Sequence, residues 1–258
     1  RGTRMNKPKS LSVSHAVRSR ILRAGGDRLW MYANFPAGDR VAVSAALSRL
    51  ARAGLITRLR AGVYYRPRRT VLGPSRPDPE VVLDAVLRRC GADSVRSGIG
   101  EYSRLGLTTQ ASGAITRAVP RRMNRAILRE VPVHLSTRPL EKQKGIRPEE
   151  RTVLDALRDL GRIPDSTSRD VLERIGMLLR AGRLSFSRLA RFAIAEPPRI
   201  RALLGAIGED IRAEGPRGRA VVSKDALHAL RSHLNALSTY SVPGAREVLV
   251  SAASWRIA

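Results

Sequence analysis

Arg40, Ser44, Ser48, Arg49 and Arg52 recur at helical spacing in the stretch DRVAVSAALSRLARAG, with no acid after Asp39. An arginine so placed can fork two hydrogen bonds onto a guanine edge, and short hydroxyls let a helix sit deep in the major groove. Ser44, Ser48 and Arg49 are therefore the expected base-reading set, with Arg40 and Arg52 at the helix ends expected on phosphates. Just downstream, RLRAGVYYRPRR (residues 58–69) gathers Arg58, Arg60, Arg66, Arg68, Arg69 and Tyr64 around a single glycine. These are candidates for phosphate or minor-groove contacts, Tyr64 as a hydroxyl donor to phosphate and Tyr65 packing beneath. The competing reading of both stretches is an ordinary solvated surface. Against it, five arginines that repel one another carry a cost that a polyanion relieves.

Two further basic sets are less telling. Lys7 and Lys9 lie on a terminal arm without periodicity. Arg117, Arg121, Arg122, Arg125 and Arg129 either extend a nucleic-acid footprint or guard a strand edge against pairing.

Catalytic chemistry finds no comparable set of residues. His15, His134, His228 and His233 are scattered, and the last two, five apart, do not share a helical face as metal ligands must. Gly98-Ile99-Gly100 lacks the third glycine of a dinucleotide loop, and no GxxxxGK[ST] or GxSxG motif occurs. Cys90 is the sole cysteine, which excludes an internal disulfide and a cysteine-cluster zinc site and leaves a buried thiol as the expectation. No enzyme, metal or cofactor is expected.

The elements that must hold the basic residues read off in order. SHAVRSRILRAGG opens on Ser14 as cap and places Val17, Ile21 and Ala24 on one face before Gly25 and Gly26 end it. LWMYANF is a short apolar run leading into the turn Pro36-Ala37-Gly38. A second helix over 40–53 is capped by Asp39, buries Val43, Ala46, Leu47 and Leu50, and closes at Gly54. LITRLR and VYYRP alternate as two strands joined at Arg60-Ala61-Gly62, a three-residue hairpin loop. Helix, short strand, helix and hairpin is the order of a winged helix-turn-helix.

Pro67, Pro74, Pro77 and Pro79 then mark a linker or surface strap, followed by a helix in PEVVLDAVLRRCG. AITRAV, RAILREV and VHLSTR are strand-like and imply a small sheet carrying one or two helices. Beyond Gly145, EERTVLDALRDLG, SRDVLERIGMLLRAG, SFSRLARFAIAEP and PRIRALLGAIGEDI are amphipathic, GPRGR marks a loop, and KDALHALRSHLNAL adds a helix before an apolar tail with Trp255. The expected class is α+β, mainly α. Its parts are a flexible basic arm over 1–13, a winged helix-turn-helix over 14–72, a small mixed α/β region over 73–145 and a helical bundle over 146–258.

Charge agrees with that division. The chain carries 48 basic and 22 acidic residues, a net charge of +26. Only five of the basic residues are lysine, a skew that a GC-rich genome produces unaided. Codon usage does not strip acids from one segment, yet residues 1–72 hold 16 basic and 2 acidic residues while 146–212 hold 13 and 10. The N-terminal quarter is thus expected to meet a polyanion. Absence of a long apolar run excludes a helical membrane span, and with no apolar leader a cytoplasmic location is expected.

The ordered series ALSRLARAGLITRLRAGVYYRPR, LGLTTQ (105–110) and RIRALLGAIGE (199–209), with LRSHLNALSTYSV as a fainter echo, resembles the AbiEi-type antitoxins of type IV toxin-antitoxin systems and their associated winged-helix regulators. The resemblance runs over residues 14–212. It implies a winged-helix N-terminus that represses its own operon at inverted repeats of double-stranded DNA, in two or more copies. It also implies a C-terminal domain that antagonises a cognate nucleotidyltransferase toxin, without metal or cofactor. The alternative from the residues alone is a basic module that grips RNA or an acidic protein and has no operator.

Overall fold

The computed structural model describes residues 12–36, 38–123 and 133–258. The protein is mixed α/β, roughly half helical, with small sheets. It divides into two compact units, residues 1–91 and 92–258. The sequence reading ends the first domain at residue 72; the compact unit runs on to Gly91 and takes the next helix with it.

In the first unit, α1 spans Val13–Arg23 and buries Val17 and Ile21. Its cap is Ser12, whose side chain accepts from the His15 amide at 3.3 Å, two residues ahead of the serine expected in that role. β1 (Arg28–Trp30) and one turn of 3-10 helix at Tyr32–Asn34 lead to α2, Arg40–Arg52. Asp39 caps α2 by accepting from the Ala42 amide at 2.9 Å, and Val43, Ala46, Leu47 and Leu50 form its buried stripe. β2 (Thr57–Arg60) and β3 (Val63–Arg66) complete an antiparallel sheet of order β1-β3-β2. Arg60 pairs with Val63, so the hairpin loop is the two residues Ala61-Gly62 rather than three, with Gly62 at φ +71°. Trp30 and Phe35 stack at 5.6 Å and join Ile56 and Tyr64 in one core with the helices.

One element and one residue, Cys90, depart from the sequence reading here. The proline-rich strap contains a second hairpin, β4 (Arg69–Thr70) with β5 (Gly73–Pro74), each strand too short to register as an alternating pattern. α3 follows over Pro79–Arg89, capped by Asp78. Cys90 at its end is free and half-buried, not buried.

In the second unit, β6 (Val95–Arg96), β7 (Ile115–Val119) and β8 (Val133–Thr137) form a sheet in that order. β6 is antiparallel to β7, and β7 runs parallel to β8 with Ile115 opposite Val133. The expected strand RAILREV lies outside the described residues. The helices are α4 (Ile99–Arg104), α5 (Pro148–Arg158), α6 (Ser168–Arg180), α7 (Phe186–Ala193), α8 (Pro198–Ala213), α9 (Pro216–Val221) and α10 (Lys224–Ser232). GPRGR, expected as a loop, instead starts α9, because Pro216 at its first turn has φ preset for a helix. All but α9 contribute buried apolar residues to one core that closes around Leu203, Ile207 and Trp255. Among the described residues no helix is long and apolar enough to cross a membrane.

Candidate nucleic-acid interface

The stripe that α2 buries leaves Arg40, Val41, Ser44, Ala45, Arg49 and Arg52 exposed, with Ser48 half-buried at the edge of that face. Arg40 stacks over the Tyr32 ring at 5.6 Å, which orients its guanidinium at the start of the helix. The face itself holds no acid, and Asp39, just ahead of it, has its carboxylate engaged in the cap.

One contact ties the helix to the hairpin. Ser48 Oγ and Tyr64 Oη lie 3.2 Å apart, and Tyr64 is only 3% exposed. Tyr64 pairs across the strands with Arg58, and directly opposed residues of an antiparallel pair project from the same face. Arg58 therefore emerges on the sheet face turned toward Ser48, and it is exposed. The serine-rich face of α2 and the basic face of the hairpin thus join along the Ser48–Tyr64 seam. Arg60, half-buried, is also held by a partner.

Two predicted contact residues are engaged within the fold. Tyr64 is buried, and its hydroxyl meets Ser48 in the seam. Arg66 donates from one guanidinium nitrogen to the carbonyls of Ile21, Leu22 and Gly25, at 2.6, 2.8 and 3.2 Å. These carbonyls lie at the end of α1, so Arg66 caps a helix C-terminus with a cation, the favourable sign there. Arg68 is exposed but ion-paired with Asp27 at 3.1 Å, while Arg69 is exposed on β4.

The opposite sheet face carries a polar clasp. Tyr65, 4% exposed, donates to Asp27 at 2.7 Å, the Ser75 hydroxyl also donates to Asp27, and Ser75 accepts from the Arg68 amide at 2.7 Å. Bonds from Ser75 and then Tyr65 hold the Asp27 carboxyl below the usual carboxylate range, with Arg68 adding to them. A depressed folded value means the clasp's contribution is complete above the ordinary carboxylate pKa and fades as pH falls through the folded one. An NMR titration should accordingly find the Asp27 midpoint higher in Ser75→Ala, and by less in Tyr65→Phe. Unchanged midpoints in both would remove the clasp.

Sequence reasoning missed two residues. Val41, 76% exposed on the first turn of α2, is an apolar side chain with no core partner, the type that meets a thymine methyl. Arg89, at the end of α3, lies against the hairpin loop: a Cβ on Gly62 would come within 2.8 Å of its guanidinium. Val41 was legible from its spacing to Ser44 and Ser48, whereas the reach of Arg89 back across 27 positions of sequence was not.

The other basic sets fare differently. Arg117 is 5% exposed on the middle strand of its sheet and is no surface residue, because a central strand turns alternate side chains inward. Arg121 and Arg122 are exposed. Lys7, Lys9, Arg125 and Arg129 lie outside the described residues. Among the described residues no cluster of three or more potential ligands assembles a metal site.

Comparison with curated proteins finds no match. Among solved structures, the chain is similar to the crystal structure of the RV2827C protein from Mycobacterium tuberculosis, at 14% identity and a TM-score of 0.43, over 91% of this chain and 85% of that one. Residues 24–128, which begin at the end of α1 and take in α2 with both hairpins, match the model of DUF6088, a family of unknown function.

Proposed function

We propose that the first unit is a winged helix-turn-helix that binds duplex DNA and that the chain is a transcriptional regulator. α2 enters the major groove, with Ser44, Arg49 and Val41 toward base edges, and the β2–β3 hairpin is the wing, laying Arg58 along the backbone with Arg89 beside its tip. The observation that carries this reading is the acid-free exposed surface running from α2 across the Ser48–Tyr64 seam to Arg58. A groove-reading helix needs a fixed angle to its wing, and that hydrogen-bonded seam supplies one. The likeness to AbiEi-type antitoxins extends the proposal to autorepression at inverted repeats and to antagonism of a nucleotidyltransferase toxin by the second unit.

Gel shifts on DNA taken from upstream of the gene test it. Arg49→Ala should cost about 1–3 kcal/mol and relax preference at one base pair. Arg58→Ala should weaken all sequences alike and lower the log–log salt slope by ~0.9, the share of one phosphate. If both variants bind like the parent, or if random RNA binds as tightly as the upstream duplex, the reading fails in favour of a general polyanion module.

A further inference from the structure

The second unit holds a basic pocket that the DNA-binding reading does not use. The last turns of α8 (Glu209, Arg212, Ala213), Arg219 of α9, and Lys224, Leu227, His228 and Arg231 of α10 line an open pocket of about 450 Å³. The four α10 residues recur at i, i+3, i+4 and i+7, so one face of that helix, from first turn to last, forms a wall.

The pocket is built by close backbone approaches. A Cβ on Gly218 would fall 1.8 Å from the Ile211 carbonyl oxygen, so α9 rides directly on α8 and Arg219 is carried to the cavity. Gly208 makes room first for the Phe186 ring, which a Cβ there would meet at 2.3 Å, and then for Leu227 of α10, whose Cδ2 it would meet at 3.0 Å. Arg212 is already anchored, donating to the Val222 carbonyl at 2.8 Å. The single acid in the lining is engaged: Glu209 accepts from Arg231 at 2.6 Å and from the Trp255 indole, and Arg231 stacks over the Trp255 ring at 4.5 Å. That wall is neutral as a whole.

Subtracting it leaves Arg212, Arg219 and Lys224, with His228 beside them, facing one cavity with no carboxylate left in its lining to balance them. Like charges gathered in a concave site raise the local potential and draw an anion. A planar guanidinium and an ammonium together suit a phosphate group, the first bidentate and the second as a point charge. The volume exceeds that of a bare phosphate and falls within the range of small-molecule sites, and Ala213 and Leu227 give an apolar wall for an organic body. We propose that this pocket binds a small phosphorylated ligand of about nucleotide size, phosphate toward Arg212, Arg219 and Lys224.

Calorimetry on the full chain tests it with four nucleoside 5′-monophosphates, adenosine, inorganic phosphate and a single-stranded oligonucleotide as probes. At least one monophosphate should bind saturably at one per chain, phosphate more weakly, and adenosine not at all. Arg219→Ala and Lys224→Ala change exposed side chains, so the fold should survive; each should weaken monophosphate binding by about tenfold, and the double variant should abolish it. Duplex DNA binding should be unaffected by these changes, and monophosphate binding unaffected by Arg49→Ala, so the two proposals stand or fall separately. Three results overturn the inference: no saturable heat with any monophosphate, binding untouched in the double variant, or dependence on Arg219 seen only with the oligonucleotide, which would make the pocket a nucleic-acid track.

Discussion

Replacing Asp155 by Ala should destabilise the second unit by about 3–5 kcal/mol, because it takes from a buried guanidinium the more buried of its two carboxylate partners. Asp155 is 2% exposed and accepts from Arg138 Nε and from Ser97 Oγ, both at 2.7 Å. Arg138 is 9% exposed and also reaches Asp159 at 2.9 Å, and Asp159 in turn accepts from the Tyr102 hydroxyl at 2.6 Å. Burial alone would pull the Arg138 pKa down; Asp155 first and Asp159 second more than offset it and hold the guanidinium charged. The same burial, with Asp159 adding to it, pushes the Tyr102 hydroxyl far above its usual range, so it stays a donor. The cluster joins the residue after β8 to one face of α5 and so fixes the sheet's register on the helix. Removing one partner leaves the desolvation cost without its compensation, whereas removing both takes away the buried pair and leaves only the part-exposed Asp159, still held by the Tyr102 hydroxyl. Asp155→Leu combined with Arg138→Met should therefore recover most of the loss. Urea unfolding in a Trp30→Phe background, which leaves Trp255 as the sole tryptophan reporter, measures both. A single-variant loss under about 1 kcal/mol would show that the network is not a stabilising unit.

How much of this was legible in the sequence depends on the range over which each signal acts. α2 was legible almost to the residue, because its cap, its apolar stripe and its terminal glycine all lie within 16 positions. The β2–β3 hairpin was legible as alternation plus a glycine, though not its loop length, which turns on whether Arg60 pairs with Val63. Strand periodicity says that Tyr64 and Arg66 share a face but not what that face meets. The partners are Ser48 on α2 and carbonyls more than 40 residues upstream on α1, and only tertiary packing brings them there. Hence Arg58 and Arg66, alike in the sequence, separate into a surface residue and a helix cap.

The basic pocket was illegible for a different reason. Arginine is so common in this chain that Arg212, Arg219, Lys224 and Arg231 do not stand out, and their convergence depends on two glycines that let α9 and α10 press onto α8. Both belong to the stretch from Gly205 to Gly218. Its four glycines sit in an otherwise helical segment, where glycine weakens a helix unless a close neighbour demands it. Three of them have such a neighbour, and the glycine pattern is the mark of a crowded helix surface.

The sharpest consequence of that crowding is a change of sign. Trp255 is fully buried, and its ring lies where a side chain on Gly205 would be: a Cβ there would come within 2.1 Å of Cζ3. Trp255→Ala should cost about 3–5 kcal/mol through reduced burial and the cavity left behind, and it also removes the indole's hydrogen bond to Glu209 and the ring on which Arg231 stacks. Gly205→Ala in the parent protein should cost at least about 1–3 kcal/mol, since the ring has no room to yield in a packed core. In the Trp255→Ala background the same change meets open space, and alanine's better helix propensity should make it stabilising by up to about 1 kcal/mol. Thermal or urea unfolding followed by the helical circular dichroism signal closes the cycle. If Gly205→Ala destabilises equally in both backgrounds, the indole is not what excludes a side chain at that position, and Trp255 does not pack against α8 in this way.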